Sequence, residues 1–311
     1  MFKGRLIRRS KALQHALLIV NPQSRNGESE ALEEAIDVLR KSGIEVDVFE
    51  SESASQSAKR IADYHHQDGI IVVAGGDGTI SSTLASVYEN KQTLAILPMG
   101  TANDLARSLG VPQNLVEAAQ VIVAGKRQRI NLAKVNGHYF VNVAHIGLGV
   151  DVTNELTSES KKYFGVFAYL GAFINVIKDN RSFKVHIKAD DWQCSVRAIH
   201  LAVGNGRYYG GGNVVDEDST LLDGQLNLFC LKPQRWWQLL LLGANLRTGS
   251  LQAEERVICR SAKKIRVECS KPRELEADGE SKTKTPAEFE VIPKAIEVLV
   301  GDMPLPKTNK D

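Results

Sequence analysis

Residues 75–79 read Gly-Gly-Asp-Gly-Thr and follow an unbroken apolar run, Ile70, Ile71, Val72, Val73 and Ala74. Three glycines in five residues leave a backbone with few Cβ atoms, which an anion can approach closely. Thr79, Ile80, Leu84, Val87 and Tyr88 then recur at helical spacing, so a helix begins near Thr79. A helix start offers unpaired N–H groups and the positive end of a dipole, and both suit a phosphate. Asp77 would repel a bare phosphate, so its carboxylate is better suited to Mg2+, a ribose or a backbone amide. The same residues also serve as a plain tight turn between strand and helix. The spacing is not the GxGxxG fingerprint, and no Gly-Lys-Ser/Thr follows to make a Walker A loop.

Three further stretches carry polar chemistry. Gly204-Asn205-Gly206-Arg207-Tyr208-Tyr209-Gly210-Gly211-Gly212 is too rich in glycine for a strand. It reads as a loop close to a ligand, with Arg207 facing a phosphate, or as a flexible connection. Asp216-Glu217-Asp218 and Leu222-Asp223-Gly224 make an acidic turn region. Such a region can hold a hard cation through carboxylate and carbonyl oxygens, or simply face solvent. Leu275-Glu276-Ala277-Asp278-Gly279-Glu280 puts a carboxylate in a tight turn between strands, and Asp-Gly-Glu alone is an ordinary hairpin turn.

The elements that position these groups follow two patterns. Residues 12–125 alternate strand and helix, with strands expected at 16–20, 44–48, 70–74 and 93–97. A helix after 51–57 is expected to run to about Gln67. This predicts an α/β domain with a mostly parallel, doubly wound sheet, where ligands bind beyond the carboxyl ends of the strands. The polar loops 21–27, 75–81 and 98–104 all follow strands, so they lie on one rim. From about residue 131 strands dominate. Asn136-Gly137 marks a hairpin, and strands are expected at 184–188, 195–203, 225–231, 256–259, 264–268, 288–292 and 296–300. A helix over 153–178 carries Phe164, Phe167, Leu170, Phe173, Ile174 and Ile177 on one face, as a core stripe or a lipid-lined groove. The second part is expected to be a mostly antiparallel β-sandwich or curled sheet, giving domains over 1–130 and 131–311.

A length of 311 residues suits two domains. The net charge of +2 gives no bulk attraction to nucleic acid. Lys3, Arg5, Arg8, Arg9 and Lys11 precede the first acidic residue, as a solvated arm or as a contact for an anionic membrane. The apolar stretch at 16–20 is too short for a signal peptide, and no run approaches the ~20 residues of a spanning helix. Trp236-Trp237 suits a membrane interface or a buried helix. Cys194, Cys230, Cys259 and Cys269 have no CxxC spacing and read as buried free thiols in a reducing cytoplasm.

In chain order, GGDGT at 75–79, PMGTANDLAR at 98–107, GNGRYYGGG at 204–212, LLDG at 221–224 and DGE at 278–280 resemble the diacylglycerol kinase catalytic-domain family. The likeness is to its soluble bacterial lipid kinases, with sphingosine kinases as relatives, and it runs from about residue 14 to 300. GGDGT is shared with NAD kinases and, as GGDGS, with phosphofructokinases; GTANDLAR is the discriminating match. The resemblance implies an NAD kinase/diacylglycerol kinase-like two-domain fold with its active site in the interdomain cleft. It implies ATP held by Gly75, Gly76, Asp77, Gly78, Thr79, Ile80, Ser81 and Thr101, with Asn21 and the turn to Gly27 near the phosphates. Ser51, Asn103 and Glu280 complete the expected nucleotide set. Asp278 is the implied general base. Mg2+ would bridge the phosphates through Asp77 or Asp104, and a second, structural Mg2+ would sit on the Asp223 carboxylate and main-chain oxygens of Thr220 and Gln225. The implied reaction transfers the γ-phosphate of ATP to a lipid hydroxyl, with diacylglycerol the default acceptor. The expected setting is the cytoplasm, in transient peripheral contact with the membrane, with a lipid and not a nucleic acid as partner; a homodimer is compatible.

The chain departs from the family pattern twice. Ser81-Ser82 stand where the family often has Asn-Glu, which bears on the Mg2+ and ribose contacts. Arg25 replaces a glycine of the first loop, which shifts the phosphate loop or adds a cation. An NAD kinase and a non-catalytic nucleotide- or lipid-binding regulator are the competing readings; GTANDLAR opposes the first, and retention of Asp278 and the glycine loops opposes the second.

Overall fold

The structure, a computed structural model, describes residues 15–22, 29–66, 68–147, 182–209, 213–214, 219–233 and 257–304. The chain forms two compact units, Met1–Arg129 with Ile296–Pro304, and Ile130–Ala295 with Leu305–Asp311. A division at residue 130 therefore misses the return of the C-terminal segment to the first unit.

In the first unit the order is β1 (His15–Val20), α1 (Ser29–Lys41), β2 (Glu45–Glu50), α2 (Ala54–Ala62), β3 (Ile70–Gly75), α3 (Asp77–Glu89), β4 (Thr93–Pro98), α4 (Asp104–Ser108) and α5 (Leu115–Ala124). The strands pair in parallel in the order β2-β1-β3-β4. Strands β3 and β4 are buried throughout, which is why their sequences are continuous apolar runs and do not alternate. Helix α1 packs against α5, and α2 against α3. Ser53 caps α2 by accepting from Gln56 N, and Asn114 caps α5 by accepting from Val116 N and Glu117 N. Helix α2 stops at Ala62, short of the expected Gln67, and Tyr64 turns into the core just beyond it.

The second unit contains most of β5 (Arg127–Val135), then β6 (His138–Phe140), β7 (Val143–Gly147), β8 (Phe183–Ala189), β9 (Trp192–Ala198), β10 (His200–Gly204), β11 (Tyr208–Tyr209), β12 (Asn213–Val214), β13 (Leu226–Leu231), β14 (Val257–Ala262), β15 (Lys264–Cys269), β16 (Glu274–Ala277), β17 (Glu280–Lys284) and the first part of β18 (Ala287–Leu299). One antiparallel sheet runs β14-β13-β10-β7-β16-β17. In the other, β9, β8, β15 and β18 pair antiparallel, and the β5–β6 hairpin joins at β18. Ala144, Ile146, Leu201, Val203 and Leu228 of the first sheet meet Val185, Ile187, Ile265, Val267 and Phe289 of the second in one core, so this unit is a β-sandwich.

Two expected strands resolve differently. The single strand expected at 195–203 is two, because the chain changes sheets at Ile199, whose N–H donates to Leu231 O. Alternating exposure along β9 gives way to burial along β10, so one run of β-forming residues serves two surroundings. The two segments expected at 288–292 and 296–300 are one strand, β18, with Lys294 at φ 52° between its two halves. The first half pairs with β15, and the second pairs in parallel with β4. All four cysteines are free thiols; Cys230 is buried and the other three are half-buried. The N-terminal basic arm, the helix expected at 153–178, Asp216-Glu217-Asp218 and Trp236-Trp237 lie outside the described residues. Among the described residues no helix is long and apolar enough to cross a membrane.

The returning end of β18 is fastened by a half-buried ion pair. Glu297 Oε1 accepts from Arg127 Nη1 at 2.6 Å and from Thr93 Oγ1 at 2.8 Å. Burial pushes the Glu297 carboxyl up, but hydrogen bonds from Thr93 and Arg127 and the positive charges of Arg127 and Arg129 outweigh it and hold it below its ordinary value. A lowered carboxyl stabilises the fold above the unfolded-state value and stops doing so as pH falls through its folded value. Glu297→Gln is therefore expected to cost about 1–2 kcal/mol at pH 7. That deficit should shrink as urea denaturation is repeated at progressively lower pH, below about 4.

Candidate functional site

In the first unit the polar loops leave the carboxyl ends of β1 to β4, and the parallel register sets those ends along one edge of the sheet. The loops are stitched to one another. Asn21 Nδ2 donates to Thr79 Oγ1 at 3.4 Å, and Met99 N donates to Gly75 O at 3.1 Å. Gly76 and Gly100 touch backbone to backbone: a Cβ on Gly100 would lie 2.6 Å from Gly76 Cα. Asn103, at φ 50° and buried, spends its side chain on its own loop. Its Oδ1 accepts from Gly100 N at 2.9 Å, and its Nδ2 donates to Gly100 O and Gln113 Oε1, both at 2.7 Å.

Asp77 takes the backbone-amide option. Its Oδ2 accepts from Asp104 N at 3.2 Å and its Oδ1 from Leu105 N at 3.3 Å. These bonds close the start of α4, whose own N-cap residue supplies no side-chain cap. Ser51 is buried, donates to Ser53 O at 2.8 Å and accepts from Ser57 Oγ at 2.7 Å. Ile80 is fully buried, and its N–H donates to Gly76 O at 3.1 Å. The Ser81 hydroxyl is buried with no hydrogen-bond partner among the described residues. Of the residues expected around a nucleotide, Ser51, Asp77, Ile80 and Asn103 thus have side chains engaged in the loops or core, whereas Gly78 and Thr101 are exposed. Gly27 lies outside the described residues. The N-cap of α3 is Gly76, which offers no side-chain acceptor. A Cβ at Gly78 would meet nothing within 4 Å, so the fold itself does not require glycine there.

In the second unit Asp278 and Gly279, at φ 49° and 83°, form the two-residue turn of the β16–β17 hairpin. The half-buried Asp278 reaches out of its hairpin to the backbone at the start of β7. Oδ2 accepts from Val141 N at 2.9 Å, and Oδ1 accepts from Asn142 N at 3.0 Å and Val143 N at 3.1 Å. Glu280 is exposed and paired with Lys282. Asp223 also collects amides: Oδ2 accepts from Thr220 N at 2.9 Å, and Oδ1 from Gln225 N at 2.8 Å and Asn131 Nδ2 at 3.4 Å. No group of three His, Cys, Asp or Glu suited to a metal occurs among the described residues. Arg207 is half-buried beside the fully buried Asn205.

Several groups near these motifs escaped the sequence reading. Asn131 and residues 141–143 lie in stretches with no motif, and Asn205 was noticed only as part of a glycine loop. Glu276, two residues before Asp278, lies opposite His145, with Oε2 and Nε2 3.6 Å apart; Glu276 is buried and His145 half-buried. Burial pushes the His145 imidazole down to about 4. Burial, with His145 as neighbour, pushes His200 down to about 3, so both rings are neutral near pH 7. Their distance apart in the chain hides this cluster from any local pattern.

The loop packing gives an asymmetric expectation for two glycines. Gly100→Ala should lower stability by about 1–3 kcal/mol, because backbone must move. Gly78→Ala should leave stability unchanged or slightly raised. Urea denaturation of the two variants measures both.

Comparison with known proteins agrees with the two-domain fold. Residues 15–135 match the family described as diacylglycerol kinase catalytic domain, and residues 144–300 match the YegS C-terminal NAD kinase beta sandwich-like domain. The diacylglycerol kinase of Bacillus subtilis (strain 168) is 28% identical over 297 residues, covering 93% of this chain and 97% of that protein. The diacylglycerol kinase of Staphylococcus saprophyticus is 28% identical over 290 residues, covering 92% and 95%. A crystal structure of a diacylglycerol kinase from Bacillus anthracis superposes with a TM-score of 0.77 at 28% identity, covering 93% of this chain and 97% of that one. A second structure from the same organism gives a TM-score of 0.82 at 27% identity, covering 97% and 100%. With both units matched along their length, this chain belongs to the diacylglycerol kinase catalytic-domain family.

Proposed function

We propose that this protein is an ATP-dependent lipid kinase that transfers the γ-phosphoryl group of ATP to a lipid hydroxyl. Diacylglycerol, named for its relatives, is the first acceptor to test. The observation that carries the reading is the Asp278 carboxylate, held by three backbone N–H groups at the tip of a hairpin. A carboxylate fixed in this way can accept the proton of an attacking hydroxyl without first paying to become ordered.

The first unit suits a triphosphate. The N-terminus of α3 has no side-chain cap, and Gly78 presents bare backbone that the fold does not need, so both favour an anion arriving from outside. Asn21 and Thr79 stand beside that terminus. In the transfer, the lipid oxygen bonds to the γ-phosphorus as the bond to the β-phosphate oxygen breaks, ADP leaves, and the hydroxyl proton passes to Asp278. A divalent cation would neutralise the phosphate charge in such a step. For a structural Mg2+, the turn at 219–225 offers the exposed Asp223 carboxylate with main-chain oxygens of Thr220 and Gln225. That oxygen-only set, completed by water, fits a hard cation.

A lipid acceptor is water-insoluble and would be met at a membrane surface. The test is transfer of label from γ-labelled Mg-ATP to lipids extracted in mixed micelles, with NAD as a parallel acceptor. Asp278→Asn should lower label in lipid by about 10²-fold or more while ATP still binds. Full turnover by this variant, or label in NADP, would reject the proposal.

A further inference from the structure

The tripeptide at 141–143 has six backbone polar groups, and two residues engage all of them. Its three N–H groups donate to the Asp278 carboxylate, and Val143 O accepts from Asp278 N at 2.9 Å. Asn142 O accepts from Asn205 N at 2.9 Å, and Val141 O accepts from Asn205 Nδ2 at 3.1 Å. The same Nδ2 also donates to Asn131 O at 3.1 Å. Asn205 is fully buried. Its NH2 group has two hydrogens, and the two carbonyls take one each, a pairing for which a carboxylate has no donor.

Sheet order explains why these residues meet. Strand β7 lies between β10 and β16, antiparallel to both. The start of β7 therefore adjoins the ends of its two neighbours, with Val143 opposite Gly204 and Ala144 opposite Ala277. Asn205 follows the first of those ends, and Asp278 follows the second.

We infer that Asn205 is a positioning residue for phosphoryl transfer. It holds the carbonyls of Val141 and Asn142, and so aims the three N–H groups that fix the Asp278 carboxylate. This inference rests on the reading of Asp278 as general base. Asn205 itself touches neither substrate; it acts through the tripeptide. The role differs from simple support of the fold, because its loss should be felt at Asp278 and nowhere in the nucleotide loops of the first unit.

Two measurements test it on the full-length protein. Asn205→Asp keeps the shape and removes the donor, and Asn205→Ser is the alternative if the first does not fold. Turnover with lipid acceptor should fall at least ~10-fold, with KM for ATP changed less than ~2-fold. In an Asp278→Asn background the same substitution should cost less than ~3-fold, because its route to the reaction is already cut. Separately, amide hydrogen exchange followed by NMR should speed up ~10-fold or more at Val141, Asn142 and Val143, relative to amides of α5. Turnover within ~2-fold of wild type overturns the inference, as does unchanged protection at the three amides. Full additivity in the double variant overturns it too, leaving Asn205 a support of the fold alone. Failure of the parent reading looks different. If the wild type labels no lipid, the exchange measurement still decides the clamp, and if Asp278→Asn is fully active, the positioning role falls with the base.

Discussion

Glycine-rich loops let backbone come close to a ligand, but they leave N–H groups that must find acceptors once they are buried. In this protein short acidic and amide side chains meet that demand. Asp77 takes two amides at the start of α4, Asp223 takes the amides of Thr220 and Gln225, and Asp278 takes three amides at the start of β7. Asn103 does the same for the loop after β4. The residues that mark the family motifs are therefore also the residues that hold the loops in shape. The proposed roles of these residues depend on that anchoring, since a carboxylate free to rotate would lose part of its use as a base or ligand.

The start of α3 stands apart from this pattern. Its N-cap is a glycine, and the nearby carboxylate of Asp77 points its hydrogen bonds at α4. A 13-residue helix thus keeps the positive end of its dipole without a side-chain cap, next to backbone stripped of Cβ atoms. Directing the Asp77 hydrogen bonds onto another loop gives α4 its cap and keeps a negative charge occupied beside the start of α3.

Strand arrangement does comparable work in the second unit. Because β7 is flanked on both sides by antiparallel strands, two loops far apart in sequence arrive at the same three residues. The core beneath, with Ala144 and Ile146 facing Val185 and Ile187, makes that register expensive to slip. Fixing the carboxylate of Asp278 is in this sense a property of the sheet as well as of the turn that carries it.

The local features of the chain were legible by themselves. Continuous apolar runs at 70–74 and 93–97 could only be buried parallel strands once helices alternated with them, and Asn136-Gly137 and Asp278-Gly279 carried the left-handed turns that two-residue hairpins require. The order of the five motifs pointed to the family, which the matches to both units confirm. Boundaries were less legible: 195–203 is uniformly β-forming, and only the second sheet pulls it apart at Ile199. The return of β18 to pair with β4 is fastened by an ion pair between Arg127 and Glu297, partners with no local pattern to announce them. Likewise the partners of Asp278, the buried amide of Asn205 and the meeting of Glu276 with His145 were decided by tertiary structure alone. Composition, periodicity and turn chemistry act over a few residues, so the sequence determined which elements form and which groups could react. Hydrogen bonds between distant loops depend on sheet order and register, and only the folded chain decides those.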